Sequence, residues 1–551
     1  MPWVDRYAHP CAWDLDFPPL ALTDMFAASA AARAECPVVR FMGRDYSYRA
    51  MLAEARAFAA GLQEHGIKPG DRVGLFLPNV PIYVAAYYGT MMAGAVVVNF
   101  SPLYTVEELA VQAADSGTRL LVTVDAPALL PTALKVLAGS PLETLVVGRL
   151  ADMLPWYKGL ALRLFGRRQT APVPGTAGVI TWNNLLRPGQ SPRPVPVDPE
   201  TTLALLQYTG GTTGTPKGAM LTHQNLSANA RQLQAIDSHA GDRDVVLGIL
   251  PLFHVFANTC VLNRTVLNGG CIVMLPRFDA GQALAAIHAE KPTSIFVVPT
   301  MLQALLDNPR IQGTDFSSVR GIISGGAALS GPLRTRFVAA TGVRVVEGYG
   351  LTESSGVVST SPLYEGDYGG TIGQVVPGTH LRLLDKEDAG QDAVPGEPGE
   401  LAVQGPQIMR GYWNRPEAAI AAFATRDDGL WLRTGDVGVI DADGFITIVD
   451  RSKDMIAVGG FKVFPSQVEH VLLQHPAVKE ALVIGVRDEY RGEVPRAYVT
   501  LAGEATADQL RDWLNTRVGK HERVDAVVLR DSLPKTMIGK LDRKALRAEV
   551  L

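Results

Sequence analysis

The sequence predicts an α/β protein. A large N-terminal domain of mostly parallel sheets covered by helices carries a small β-barrel-like part, and a small mobile α+β domain follows at the C-terminus. Three observations carry this expectation. Short β-branched runs alternate with longer helical patterns through most of the chain, which is the rhythm of βαβ units. At 551 residues the chain outgrows a single compact core. From about residue 400 the rhythm gives way to alternating runs around tight turns, then to a compact mixed unit. The domains are placed at 1–450 and 451–551.

Taken in order, RVGLFL (72–77) reads as a strand. The apolar stretch IYVAAYYGTMMAGAVVV (82–98) falls short of the ~20 residues of a spanning helix. Gly94 divides it into a helix (82–93) and a buried strand (95–99), so it reads as core. A helix over 106–114 follows, with Thr105 and Glu108 placed as a capping box, then the strand LLVTV (120–124). DMLPWYKGLALRLFGRRQ (152–169) mixes Trp156, Leu160, Leu164 and Phe165 with Lys158, Arg163, Arg167 and Arg168. Two readings stay open for it: a surface helix docking its apolar stripe on the body, or weak contact with an anionic membrane surface. Seven prolines between 172 and 199 mark an extended connection. SIFVVP (294–299), GIISGG (321–326) and VRVVEGYG (343–350) resume the buried strands. DVGVIDADGFITIVD (436–450) is a hairpin about the turn 441–444; without the later bidentate Glu it is no calcium loop. Ser466 with Glu469, and Thr506 with Gln509, are placed as capping boxes of two C-terminal helices, and ALVIGV and RAYVTL as strands.

Composition excludes several classes. Hydrophobic residues at 47% and charged residues at 19% are ordinary for a globular enzyme, and a net charge of -4 argues against nucleic acid as partner. The four cysteines form no CxxC pair, so neither a disulfide framework nor a zinc site is expected. The first residues lack the apolar run of a signal peptide. A reducing, cytoplasmic location is expected.

The densest chemical signal is YTGGTTGTPKG (208–218). Glycines permit close approach of backbone N–H groups to an anion, threonine hydroxyls add donors, and Lys217 adds a charge. A Walker A loop ends in Gly-Lys-Ser/Thr at a helix start. Here Pro216 and Gly218 flank Lys217, so the stretch reads instead as a phosphate-binding flap between strands LALLQYT and AMLTH. In GYGLTESSG (348–356), Tyr349 can stack on a base and Glu353 is a hard ligand for magnesium carried by a triphosphate; the alternative has Thr352 capping a helix. Asp436 in WLRTGD (431–436) can accept from both ribose hydroxyls or be a plain turn residue. Lys540 in LPKTMIGKLDRK (533–544) is a mobile cation or an ordinary surface lysine.

These motifs, with PLFH (251–254), DRSKDMIAVGGFKVFP (450–465) and PKTMIGK (534–540), occur in an order that resembles the adenylate-forming superfamily. That superfamily holds acyl-CoA synthetases, luciferases and peptide-synthetase adenylation domains. The resemblance spans nearly the whole chain. LPNVPIY, MLPWYKGLALRLFG and GPQIMRGYWNRPE (405–417) are most similar to bacterial long-chain fatty acid–CoA ligases. It implies ATP, Mg2+ and CoA as cofactors, and a fatty acid activated first to acyl-adenylate and then transferred to CoA. Medium-chain, aryl or hydroxycinnamate CoA ligases and acyl-AMP ligases share the pattern, and a non-catalytic nucleotide-binding protein is the alternative of another class. By motif position, Thr209, Gly210, Gly211, Thr212, Thr213, Gly214, Thr215 and Lys217 hold the phosphates. Thr209 and Glu353 share the metal. Gly325, Gly326, Ala327, Gly348, Tyr349 and Gly350 frame the adenine, and Thr352 touches the α-phosphate. Asp436 and Arg451 bind the ribose. Lys540 bridges carboxylate and α-phosphate, Lys453 is the hinge, and Gly459 and Gly460 face the pantetheine arm. Phe253, His254, Val255, Phe256 and Val298 are the acyl-pocket candidates. Peripheral attachment to the inner face of the cytoplasmic membrane fits such a substrate, and a homodimer is left open.

Overall fold

The computed structural model describes residues 4–166, 168–209, 216–240, 244–385, 388–451, 454, 456–458, 461–488, 491–536 and 539–550. The side chains of Arg451, Phe461 and Lys462 fall outside that description.

Two sheets form the body. A seven-stranded sheet is parallel throughout except where Leu203–Thr209 meets Lys217–Thr222 in antiparallel register, Thr209 opposite Lys217. A nine-stranded sheet has a parallel centre that includes Val245–Gly248, Ser294–Val297, Gly321–Gly325 and Val345–Tyr349. Both read as near-continuous apolar runs because helices cover both faces of such sheets. One continuous apolar cluster runs through both.

The apolar stretch divided at Gly94 folds as the helix Pro81–Met92 and the strand Val96–Asn99; every residue of the helix except Met92 is buried. Its tyrosines keep their hydroxyls satisfied. Tyr83 donates to Asn99 Oδ1 (2.9 Å), Tyr87 to Asn258 Oδ1 (2.9 Å) and Tyr88 to Asn263 Oδ1 (2.9 Å). Gly89 lets this helix meet Tyr48–Glu64, since a Cβ there would lie 2.6 Å from the Ala55 carbonyl oxygen. The capping box at Thr105 is present on the helix Val106–Ser116.

The small β part is a five-stranded antiparallel sheet, whose long strand Gly429–Ile440 pairs with Ile446–Arg451 across the turn the sequence marks. Beyond it, Val478–Asp488 and Gly492–Leu501 form the hairpin of a separate five-stranded sheet. Ala481 and Val483 face one small core while Leu482, Ile484 and Val486 face another. Both faces are covered, which is why ALVIGV carries no polar alternation.

Two local expectations fail. The box at Thr506 forms, but Ser466 caps nothing: the helix starts at Pro465, and Ser466 donates to the Val449 carbonyl instead. Glu469 is ion-paired to Arg543 (2.7 Å) and accepts from the Val483 amide (2.6 Å). Proline at the first helical position displaced the box. The helix Trp156–Phe165 forms, but only Gly159 of it is buried. Its apolar residues stand in solvent, Trp156 at 80% and Phe165 at 84%, so the docked-stripe reading is overturned. Polar contacts pin it instead, with Lys158 donating to the Met42 carbonyl (2.7 Å) and Arg163 paired to Asp152.

Candidate active site

A cleft of about 960 Å³ opens where the two sheets meet the C-terminal unit. It lies at the carboxyl ends of strands, where α/β sheets bind ligands. Thr209 and Lys217 line it from one sheet; Gly325, Gly326 and the run from Gly348 to Glu353 line it from the other. Phe253, His254, Val255 and Phe256 form a further wall. Val298 and Ala327 do not line it; Val298 is buried behind Gly326, 3.6 Å from where a Cβ there would stand.

Lys540 comes from the C-terminal unit and reaches into the cleft. A Cβ on Gly326 would lie 2.7 Å from its Cε and 3.2 Å from its Nζ, so this glycine makes room for the lysine. Thr300 fixes the approach by donating to the Gly539 carbonyl (2.9 Å), and the Lys540 amide donates to Thr536 Oγ1 (3.1 Å). His254 Nδ1 accepts from the Phe256 amide (3.3 Å). Burial first, and then the Lys540 charge, push the His254 imidazole down to about 3. It is therefore a neutral hydrogen-bonding group at pH 7.

Glu353 sits in a single 3-10 turn, Thr352–Ser354, so Thr352 caps no α-helix. Tyr412 donates to Glu353 Oε1 (2.6 Å), and the Lys217 ammonium lies 5.4 Å from the Tyr412 ring centroid. The segment around Tyr412 is threaded between two motif elements. Met220 donates to the Gly411 carbonyl (2.9 Å) and Trp413 to that of Gly218 (2.8 Å), while Met409 donates to that of Glu353 (2.8 Å). Tyr412 thus joins Lys217 to Glu353, a role with no spacing signal in GPQIMRGYWNRPE.

Asp436 does not itself line the cleft, although Arg433, Thr434 and Gly435 do. Its Oδ2 accepts from the Tyr349 hydroxyl (2.5 Å), which ties the ribose candidate to the adenine candidate. Glu400 holds the turn, accepting from the Gly435 amide (3.1 Å) and pairing with Arg433 (2.6 Å). The six flap residues from Gly210 to Thr215, together with Lys453, Gly459 and Gly460, lie outside the described residues, as does the Arg451 side chain.

Magnesium can be tested on the donor set. Among the described residues no cluster of three or more His, Cys, Asp or Glu side chains could hold a metal alone. Glu353, one of several carboxylates in the cleft lining, shares that lining with Thr209. That set fits a cation that keeps waters and phosphate oxygens as its other ligands.

Comparisons with known proteins agree with this geometry. The model of the AMP-binding enzyme family matches residues 26–413, and that of its C-terminal domain matches residues 467–540. The chain is 38% identical to a long-chain-fatty-acid–CoA ligase of Bacillus subtilis (strain 168), covering 100% of this chain and 98% of that protein. It is 35% identical to a feruloyl-CoA synthase of an Amycolatopsis species, covering 92% and 95%. ATP-bound MatB from Rhodopseudomonas palustris superimposes with a TM-score of 0.82 at 28% identity, over 96% of this chain and 99% of that one. The anthranilate CoA ligase AuaEII, in complex with anthranoyl-AMP, gives 0.84 at 27% identity, over 97% and 98%. With family models over both parts of the chain and a full-length relative, this protein belongs to the AMP-binding enzyme family, the adenylate-forming enzymes.

Proposed function

We propose that the protein activates a fatty acid in two steps, with a long chain preferred: ATP and the acid give acyl-adenylate and pyrophosphate, then CoA gives acyl-CoA and AMP. The observation that carries this is the position of Lys540, against Gly326, where the rim at Thr209 and Lys217 meets an apolar-walled pocket. In the first step a carboxylate oxygen attacks the α-phosphorus and the bond to the β-bridging oxygen breaks, so pyrophosphate leaves. Lys540 draws the two anionic reactants together. The flap and Lys217 hold the departing phosphates, and Tyr412 fixes Glu353 opposite them. Magnesium, held by Glu353 and Thr209, would supply neutralising charge to the phosphates. Tyr349 and Asp436 orient the nucleoside. Gly325, Gly326, Gly348 and Gly350 leave space for the adenine, and Thr352 stands at the α-phosphate. Neutral His254 adds no positive charge where the acid enters. In the second step the CoA thiolate attacks the acyl carbonyl and AMP leaves. Rotation about a hinge at Lys453, near the boundary at residue 450, would withdraw Lys540 and bring Gly459 and Gly460 to the pantetheine arm.

The chain-length preference draws on the long-chain relatives. A medium-chain or aryl acid is the second reading, favoured by polar side chains at the far end of the pocket. The exposed helix Trp156–Phe165 is proposed to rest on anionic lipid, from which such an acid is drawn. Pyrophosphate release measured over a panel of acids, with and without CoA, tests the proposal. Release independent of added carboxylate would sink it.

A further inference from the structure

One wall of the cleft, running from a Gly325–Gly348 row shared with the nucleotide end down the acyl pocket, is built from alternate residues of three adjacent strands. Ser294 and Phe296, Gly321, Ile323 and Gly325, and Val346 and Gly348 all line the cleft. Their spacing of two places them on one face of the sheet. Their register makes rows: Ser294 opposite Gly321, Phe296 opposite Ile323, Ile323 opposite Val346, and Gly325 opposite Gly348. Gly326, which follows the glycine row, is the residue that makes room for Lys540. Four residues separate the glycine row from the Ser294–Gly321 row, which is about 13 Å at about 3.3 Å per residue. That depth takes roughly ten methylenes of an extended chain with zigzag C–C bonds of about 1.5 Å.

The facing wall is helical. Phe256, Cys260 and Arg264 line the pocket at intervals of four, with the π-helical turn Asn258–Asn263 between them. More than four residues per turn keeps such a series on one side, and π turns of this kind cluster at functional sites. Phe256 closes against the glycine row, 3.0 Å from where a Gly325 Cβ would stand. At the other end Arg264 lies over the Phe296 ring, 5.7 Å from its centroid.

Arg264 is 4% exposed and paired with two carboxylates, Asp237 and, at 2.9 Å, Asp244. Tyr364, also in the pocket lining, donates to Asp237 (2.8 Å), and Ser294 donates to Asp244 (3.1 Å). The helix, both strand edges and the 364 loop therefore converge on one buried cluster. An apolar chain end gains nothing by displacing it, and separating buried ion pairs is costly. We infer that the Arg264–Asp237–Asp244 cluster is the blind end of the acyl pocket and sets the longest chain it takes.

The inference rests on the fatty-acid reading in its medium-chain form, since roughly ten methylenes fit, and it separates short acids from long ones. Hexanoate and octanoate end before the cluster, whereas tetradecanoate and hexadecanoate, with twelve and fourteen methylenes, are longer than the depth and press on it. The test compares kcat/KM for these four acids in the wild type and two variants. The triple variant Arg264→Met, Asp237→Asn, Asp244→Asn removes all three charges together, so none is left unpaired. It should raise the ratio of hexadecanoate to octanoate about fivefold or more. Cys260→Leu leaves the ion pairs intact and fills the wall one turn above; it should lower the same ratio by a similar factor, with hexanoate the least affected of the four acids. A ratio unchanged in Cys260→Leu, or all four acids moving in parallel in both variants, overturns the inference and leaves fatty-acid activation standing. Wild-type protein inactive on every acid overturns both.

Discussion

The two ends of the cleft are made differently. On the proposed reading, the nucleotide end is assembled from short contiguous runs: the rim at Thr209 and Lys217, the run from Gly348 to Glu353, the turn before Asp436, and Lys540. On the same reading the acyl end is assembled from every second residue of three strands and every fourth residue of one helix. Phosphate chemistry is the same for every acid, so a fixed constellation on loops serves it. An acyl chain is recognised only by the shape of a wall, and a wall needs many elements. Substitutions at the first end should therefore change the rate with all acids alike, and those at the second should redistribute rate among acids.

The largest effect expected is Lys540→Ala. Acyl-adenylate formation should fall by about 100-fold or more for every acid. Transfer to CoA from preformed acyl-adenylate should stay near the wild-type rate, and equal loss in both half-reactions would break the division of labour. Next, Tyr412→Phe removes the hydrogen bond to Glu353 and leaves the ring beside Lys217. Adenylation should drop about tenfold, uniformly across acids. At the other end, Phe256→Ala opens the waist of the acyl pocket opposite Gly325. The ranking of acids in a competition assay should change by about tenfold, while the ATP concentration for half-maximal rate stays put.

A smaller effect concerns Glu347, which alternates with the pocket-facing Val346 and Gly348 and accepts from the Leu329 amide (3.1 Å). Burial pushes its carboxyl up from the usual 4.5 to about 7, against the weaker pull of that hydrogen bond and of Arg334. The folded state therefore holds a proton that the unfolded chain has lost. The stability this contributes is present below about 4.5 and is lost as pH rises through about 7. Glu347→Gln should flatten the fall in melting temperature between those values and gain on the order of 1 kcal/mol at pH 8 relative to wild type. A parallel shift at all pH values would refute it. Smallest of all should be the double change Trp156→Glu, Phe165→Glu. Unfolding free energy should move by no more than about 0.5 kcal/mol because both side chains are already exposed. Binding to anionic vesicles, followed by sedimentation, should be lost.

At the nucleotide end the chain's own runs carry the signal; at the acyl end they carry it for Phe253 to Phe256, which line the cleft, but not for the strand wall facing them. A glycine-rich run, a Thr-Glu pair after a strand and a lysine in a terminal turn are local patterns whose chemistry is legible in a few residues. Ser294, Ile323 and Val346 look like ordinary strand core in their own runs; only register makes them one wall. Arg264 carries no signal in its own run; only the fold brings Asp237 and Asp244 to it. Tyr412 carries no local signal, because its partners are Glu353, 59 residues away, and Lys217 on a strand of the seven-stranded sheet. The helices at 81–92 and 156–165 make the point from the other side. Both are apolar and aromatic, yet one is enclosed by the body and the other stands in solvent, held by Lys158 and Arg163 rather than by its apolar side chains.

The alternation of strands and helices, the family and the motifs of the proposed nucleotide site are legible along the chain, because propensity, periodicity and contiguous motifs act over a few residues. Only the tertiary structure decided which strand residues share a wall, where that wall ends in charge, and which apolar helix meets solvent. Those are properties of neighbours distant in the chain, set by register and packing rather than by any run of residues.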